Sequence, residues 1–141
     1  MIKTVYVIAG PTATGKSELA ISLGNKINGA VINSDSMQVY KNLEILTARP
    51  SLSEMKNIDH HLHGFVNGRE RYNVERWCND ATEIIKKISA NNLTPILVGG
   101  TGLYINTLIN GLIDLPPIPE KIKIESEKIL QEFGKDFLVS Q

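Results

Sequence analysis

The chain has one cysteine, no net charge and no long apolar run, and each lack removes a class of protein. A single Cys78 among 141 residues excludes an internal disulfide framework. At this length roughly two thirds of the unfolded surface becomes buried, so a core forms without disulfides or a structural metal. Fifteen Lys plus Arg balance fifteen Asp plus Glu, which argues against a nucleic-acid binder working by counterion release alone. A local basic patch still fits inside a neutral total. The apolar stretch Val5 to Ala9 is too short for a signal-peptide core or for a membrane span of about twenty residues, so a cytoplasmic protein is expected. Internal repeats and low-complexity tracts are also missing, and one domain is the default count.

What is present alternates between two periods. Thr4 to Ala9 is β-branched and aromatic without polar alternation, which predicts a strand buried on both faces of a parallel sheet. From Lys16, the residues Leu19, Ala20, Leu23 and Ile27 fall at helical spacing, and Asn28-Gly29 supplies a stop. Ala30 to Ile32 reads as a second strand running into Asn33-Ser34-Asp35-Ser36, and Ile58 to Val66 holds a further, blurred one. Val74, Trp77, Ala81, Ile84, Ile85 and Ile88 form one stripe of a helix over 74–90, capped by Asn73. Thr94 to Val98 is again a strand, followed by Gly99-Gly100-Thr101-Gly102 and a helix from Leu103 to about Ile109. Strands alternating with helices predict a parallel α/β sheet. Beyond Gly111 the stiff connector Leu115-Pro-Pro-Ile-Pro119 leads to a charged helix from Glu120 to Phe133, with Ile122, Ile129, Leu130 and Phe133 on one side.

The chemistry is carried by Gly10-Pro11-Thr12-Ala13-Thr14-Gly15-Lys16-Ser17, a complete G-x-x-x-x-G-K-[ST] between a strand and a helix. The glycines let backbone amides wrap an anion at a helix N-terminus, Lys16 adds a mobile positive charge, and the Ser17 hydroxyl suits a magnesium ion. Such a cradle serves kinases, hydrolases and transferases alike. Asp35, after the second strand, is the candidate magnesium organiser. The strand ending at Val98 offers no carboxylate and runs into a Gly-Gly-Thr turn, a second place where amides and a hydroxyl can meet a ligand.

Gly10 to Ser17, Asp35 to Lys41, Thr47-Ala-Arg-Pro50, His60-His-Leu62 and Val98 to Ile105 occur in the order and spacing of the tRNA dimethylallyltransferases, and the chain resembles the N-terminal half of that family. The resemblance extends to about Ile124. It implies a P-loop NTPase-like parallel sheet flanked by helices, with the start of a helical insertion domain. It further implies transfer of the dimethylallyl group of dimethylallyl diphosphate to N6 of the adenosine 3′ of a tRNA anticodon, with Mg2+ on Ser17. Residues 10–17 would then hold a diphosphate. Asp35 matches the general base, Thr101 a hydroxyl near the diphosphate and tRNA, and Ser36, Met37, Gln38 and Lys123 match tRNA-contacting positions. Arg49 stands where the family commonly has Lys, and Lys123 where bacterial members often have Arg; a tolerated change is expected at the first.

The domain division expected from this is 1–113 as an incomplete catalytic core and 114–141 as connector plus first helix of a truncated tRNA-binding insertion. Family members continue for about as many residues again, and little or no transfer is expected from the chain alone. Partners are the anticodon stem-loop and the prenyl diphosphate, with a monomer favoured. Two rivals remain: a small P-loop kinase using ATP, and an inactive tRNA-binding remnant. Asp59, His60, His61, His63 and Cys78 lack zinc spacing and are not assigned a metal, although His61 and His63 would share a strand face.

Overall fold

The computed structural model describes residues 4–55, 58–112 and 118–139. The elements run β1 (Tyr6–Ala9), α1 (Lys16–Ile27), β2 (Gly29–Asn33), α2 (Leu52–Met55), β3 (His60–His61), α3 (Val74–Ala90), β4 (Thr94–Gly99), α4 (Gly102–Asn110) and α5 (Glu120–Val139). All strand pairings are parallel, in the order β1-β4-β2-β3. Parallel neighbours need crossovers, and the helices supply them on the two faces.

Alternation along the central strands sorts the core into two clusters. Ala30, Ile32 and Leu97 face Trp77, Ala81, Ile85 and Ile88 of α3 and Tyr104 of α4. Val31, Ile96 and Val98 face Ala20 and Ile21 of α1. The α3 stripe is buried as its periodicity predicts, and Asn73 caps the helix by accepting from the Arg76 amide at 2.9 Å. α1 ends where Asn28 adopts a left-handed conformation at φ 55°.

Three expectations are corrected. β1 is not covered on both faces: it sits at the end of the sheet beside β4 alone, and Tyr6 and Val7 are each 42% exposed. The strand expected within 58–66 shrinks to two residues, because Leu62 turns left-handed at φ 62° and breaks the alternation. That turn brings His63 beside His60, with ring centroids 5.5 Å apart, where simple alternation would have paired it with His61. The final helix extends past Phe133 but is kinked at Gly134 (φ 77°, ψ 171°), and Ile122, Leu130 and Phe133 on it remain exposed. Leu115 to Pro117 of the expected connector, and the boundary at 113/114, lie outside the described residues.

Candidate active site

The cradle forms where β1 delivers the chain to the start of α1. Gly15 caps α1 in a left-handed conformation (φ 79°) with no side-chain capping bond, so the first-turn amides keep their hydrogen-bonding capacity for an anion. Within the loop, Thr14 Oγ1 donates to the Pro11 carbonyl at 2.9 Å, and Lys16 Nζ donates to the same oxygen. Residues 12–17 line a cavity of about 210 Å³ floored by Ala20, Val31 and Val98. Gly10 and Pro11 are not among the lining residues; Pro11 contributes the carbonyl that Thr14 and Lys16 share.

Asp35 lines the same cavity, because β2 ends opposite the cradle at the C-terminal edge of the sheet. Its Oδ1 accepts from the Met37 amide at 2.9 Å, which fixes one carboxylate oxygen in a tight turn. Gln38 also lines the cavity and ties it to a neighbouring loop by donating to the Thr47 carbonyl at 3.0 Å. Thr101 is used differently. Its hydroxyl accepts from the Ser36 amide at 2.9 Å and lies 3.3 Å from the Ser36 hydroxyl, while its own amide donates to the Ser34 carbonyl at 3.2 Å. The Gly-Gly-Thr turn therefore clamps the aspartate loop. Gly99 makes this possible, since a Cβ there would overlap the Ser34 carbonyl.

The structure thus brings together Thr12, Ala13, Thr14, Gly15, Lys16, Ser17, Asp35 and Gln38 in one cavity lining, whereas Ser36 and Thr101 are outside that lining and bonded to each other. Met37 points outward, 49% exposed. Lys123 is apart from the cavity on α5, 3.5 Å from Glu120.

The far wall contains Thr47, Ala48, Pro50, His60 and His63. Thr47, Ala48, Pro50 and His60 fall in the quoted family segments without an assigned role, while His63 lies just past them and entered only as a declined metal ligand. Burial pushes the His63 imidazole down to about 3, with His60 and Arg49 adding to the effect, and burial also lowers His60 and His61. Among the described residues, the ring nitrogens of His60 have no hydrogen-bond partner. Arg49 is spent on the chain itself: Nη1 donates to the Tyr40 carbonyl at 3.1 Å and Nη2 pairs with Glu44 at 3.1 Å. The guanidinium is thus held by the chain's own groups, one nitrogen on a backbone carbonyl and the other on a carboxylate. Gly64 leaves room for it, because a Cβ there would collide with the guanidinium.

A parallel α/β sheet with a G-x-x-x-x-G-K-[ST] loop at the start of its first helix, and a carboxylate lining the same cavity, defines a protein of P-loop NTPase-like fold. A profile described as IPP transferase matches residues 38–141, and one described as Isopentenyl transferase matches residues 3–62. The chain belongs to the IPP transferase family. It is 46% identical over 132 residues to the tRNA dimethylallyltransferase of Hyphomonas neptunium, covering 94% of this chain and 42% of that one. It is 49% identical over 128 residues to the enzyme of the same description from Pelagibacter ubique, covering 88% of this chain and 41% of the relative. The full-length tRNA isopentenylpyrophosphate transferase of Bacillus halodurans superposes with a TM-score of 0.78 at 36% identity, over 93% of this chain and 44% of that one. A eukaryotic dimethylallyltransferase acting on tRNA gives 0.80 at 40% identity, over 93% and 33%. The chain spans about two fifths of the length of the curated relatives it matches.

Proposed function

We propose that this chain is the diphosphate-binding part of a tRNA dimethylallyltransferase. The observation that carries this reading is a carboxylate, Asp35, lining one cavity with Lys16 and the open amides of the cradle. In the reaction, the bond between the allylic carbon of dimethylallyl diphosphate and its bridging oxygen breaks, and the electron pair leaves with the diphosphate. A bond forms from that carbon to N6 of the adenosine 3′ of the anticodon. The N6 proton passes to the Asp35 carboxylate.

Cradle amides and Lys16 stabilise the charge that grows on the leaving group, which is where preorganised donors contribute most to rate. The adenine lone pair is delocalised into its ring, so removing the N6 proton as the bond forms is what makes it a usable nucleophile. A purine reaches this cavity only when taken out of its stack. Gln38 lines the cavity the base would enter, and the clamped Ser36 and exposed Met37 adjoin it in the chain.

Ser17 and Asp35 offer hard oxygen donors in one cavity, which fits magnesium, and Ser17 would hold the ion. When bound, magnesium supplies charge neutralisation to the departing diphosphate. Residues 1–113 serve as the core of the site, and 114–141 as the connector and first helix of a tRNA-binding insertion, a role favoured by the exposed apolar residues of α5. A cytoplasmic setting accompanies this function; among the described residues no helix is long and apolar enough to cross a membrane.

The test uses the 141-residue chain, labelled dimethylallyl diphosphate and an unmodified anticodon stem-loop. Binding of the prenyl diphosphate is expected, weakened about tenfold or more by Lys16→Ala, with transfer far below that of the longer relatives. Magnesium-dependent ATP turnover indifferent to dimethylallyl diphosphate would overturn the reading in favour of a kinase. Stem-loop binding without prenyl-diphosphate affinity would leave only a tRNA-binding remnant.

A further inference from the structure

The side chain of Asn33 reaches the Asp35 loop from inside the fold. Asn33 ends β2 and is wholly buried. Its Oδ1 accepts from the Asp35 amide at 2.9 Å, and its Nδ2 donates to the Asp35 carbonyl at 3.0 Å. One carboxamide therefore grips both polar groups of the Asp35 backbone. The same Nδ2 also donates to the Leu62 carbonyl at 3.0 Å, which ties the loop to the segment leaving β3.

The grip is itself held from behind. Trp77 Nε1 donates to the Asn33 carbonyl at 2.9 Å, and the indole is wholly buried and stacked on Tyr104 at 4.6 Å between centroids. α3 and α4 thus converge on Asn33 through one hydrogen bond and one stacked pair. In front, the Met37 amide holds Asp35 Oδ1 and Thr101 holds the Ser36 amide. Among the described residues Asp35 Oδ2 has no protein partner, so one carboxylate oxygen is anchored and the other is available to the cavity.

We infer that Asn33, braced by Trp77, is the positioning residue of Asp35. It touches neither diphosphate nor base; it acts through the backbone it clamps. An amide is required because the site presents one donor and two acceptors to a single side chain, a set that Asn satisfies and that Asp, Ser or Leu cannot. Leaving those buried backbone groups unpaired would release the loop into other conformations. The inference deepens the proposed function, since it rests on Asp35 as the proton acceptor.

The Met37 amide provides the readout, because its partner is the Asp35 carboxylate and not Asn33. In the whole chain, Asn33→Ser and the gentler Trp77→Phe, which keeps an aromatic ring against Tyr104, are compared with the native protein. Amide hydrogen exchange is measured by NMR, and affinity for inorganic pyrophosphate by calorimetry. Asn33→Ser is expected to speed exchange at Met37 about tenfold beyond any change at the β4 amides, with pyrophosphate affinity within about twofold. Trp77→Phe is expected to act at the same amide in the same direction, more weakly. Uniform acceleration across the sheet, or a Met37 amide as protected as in the native chain, would overturn the inference by reducing Asn33 to a packing residue. In single-turnover assays with the anticodon stem-loop as acceptor, the slow transfer by the native chain should fall about tenfold in Asn33→Ser. Native-level transfer by Asp35→Asn would instead refute the proton-acceptor reading, and the exchange data would still decide whether Asn33 holds the loop.

Discussion

His63 is the residue whose burial has the plainest consequence in solution. Its imidazole is held neutral inside the fold, first by desolvation and then by His60 and the Arg49 guanidinium, so its value falls from 6.5 to about 3. The unfolded chain therefore binds the proton more readily. Stability is fully present above pH about 6.5 and is lost as pH falls toward 3, by at most about 1.4 kcal/mol per pH unit for this group. His60 and His61 shift in the same direction and add to the slope. Urea denaturation at several pH values is expected to show a shallower decline for His63→Asn than for the native chain. Identical slopes would mean that the imidazole is solvated in the folded state. Arg49 teaches a related lesson: from the sequence it looked like a substituted cation, whereas the fold employs it as a donor to the carbonyl of its own loop.

Among the elements, β4 does the most to define the site, because its C-terminal end separates the cradle from the aspartate loop. It pairs with β1 on one side and β2 on the other, and Ser34 donates to the Val98 carbonyl at 2.8 Å just past the ladder. Gly99 stands where the two backbones approach too closely for a side chain. Gly99→Ala is expected to destabilise by about 1–3 kcal/mol through backbone displacement, the usual range for overpacking. The same displacement should loosen the Ser34 to Ser36 segment. A denaturation midpoint equal to the native value would show that the strand ends yield without cost. α3 contributes differently, as the brace that carries Trp77 to Asn33, and its stripe was readable from periodicity while that hydrogen bond was not.

At the scale of the whole molecule, the sheet is covered by α1 on one face and by α3 and α4 on the other, and among the described residues no strand pairs with the outer edge of β1. Tyr6 and Val7 on β1, Leu19 on α1, and Leu103 and Ile109 on α4 are exposed apolar side chains. Exposed apolar side chains that form one patch mark a place where further protein docks, or else a tendency to associate. The folded chain is expected to enhance the fluorescence of a hydrophobic dye, and Val7→Lys, a charge on the edge strand, to reduce it without lowering the melting temperature. A folded native chain that leaves the dye dark would show that these side chains do not form a common surface.

Local chemistry is enough to recognise the phosphate loop, the α3 helix with its Asn73 cap, the stop at Asn28-Gly29 and the α/β alternation. Each depends on residues close together in the chain, where spacing and backbone preference act directly. The family segments likewise carried the membership and the candidate residues. The edge position of β1, the pairing of His60 with His63, the structural employment of Arg49 and the Asn33 grip on Asp35 came only with the tertiary structure. In each of these the deciding partner is distant in sequence, or the outcome turns on which neighbour covers a face. Side-chain type reports what a residue can donate, accept or bury, but the packed fold selects which groups it meets.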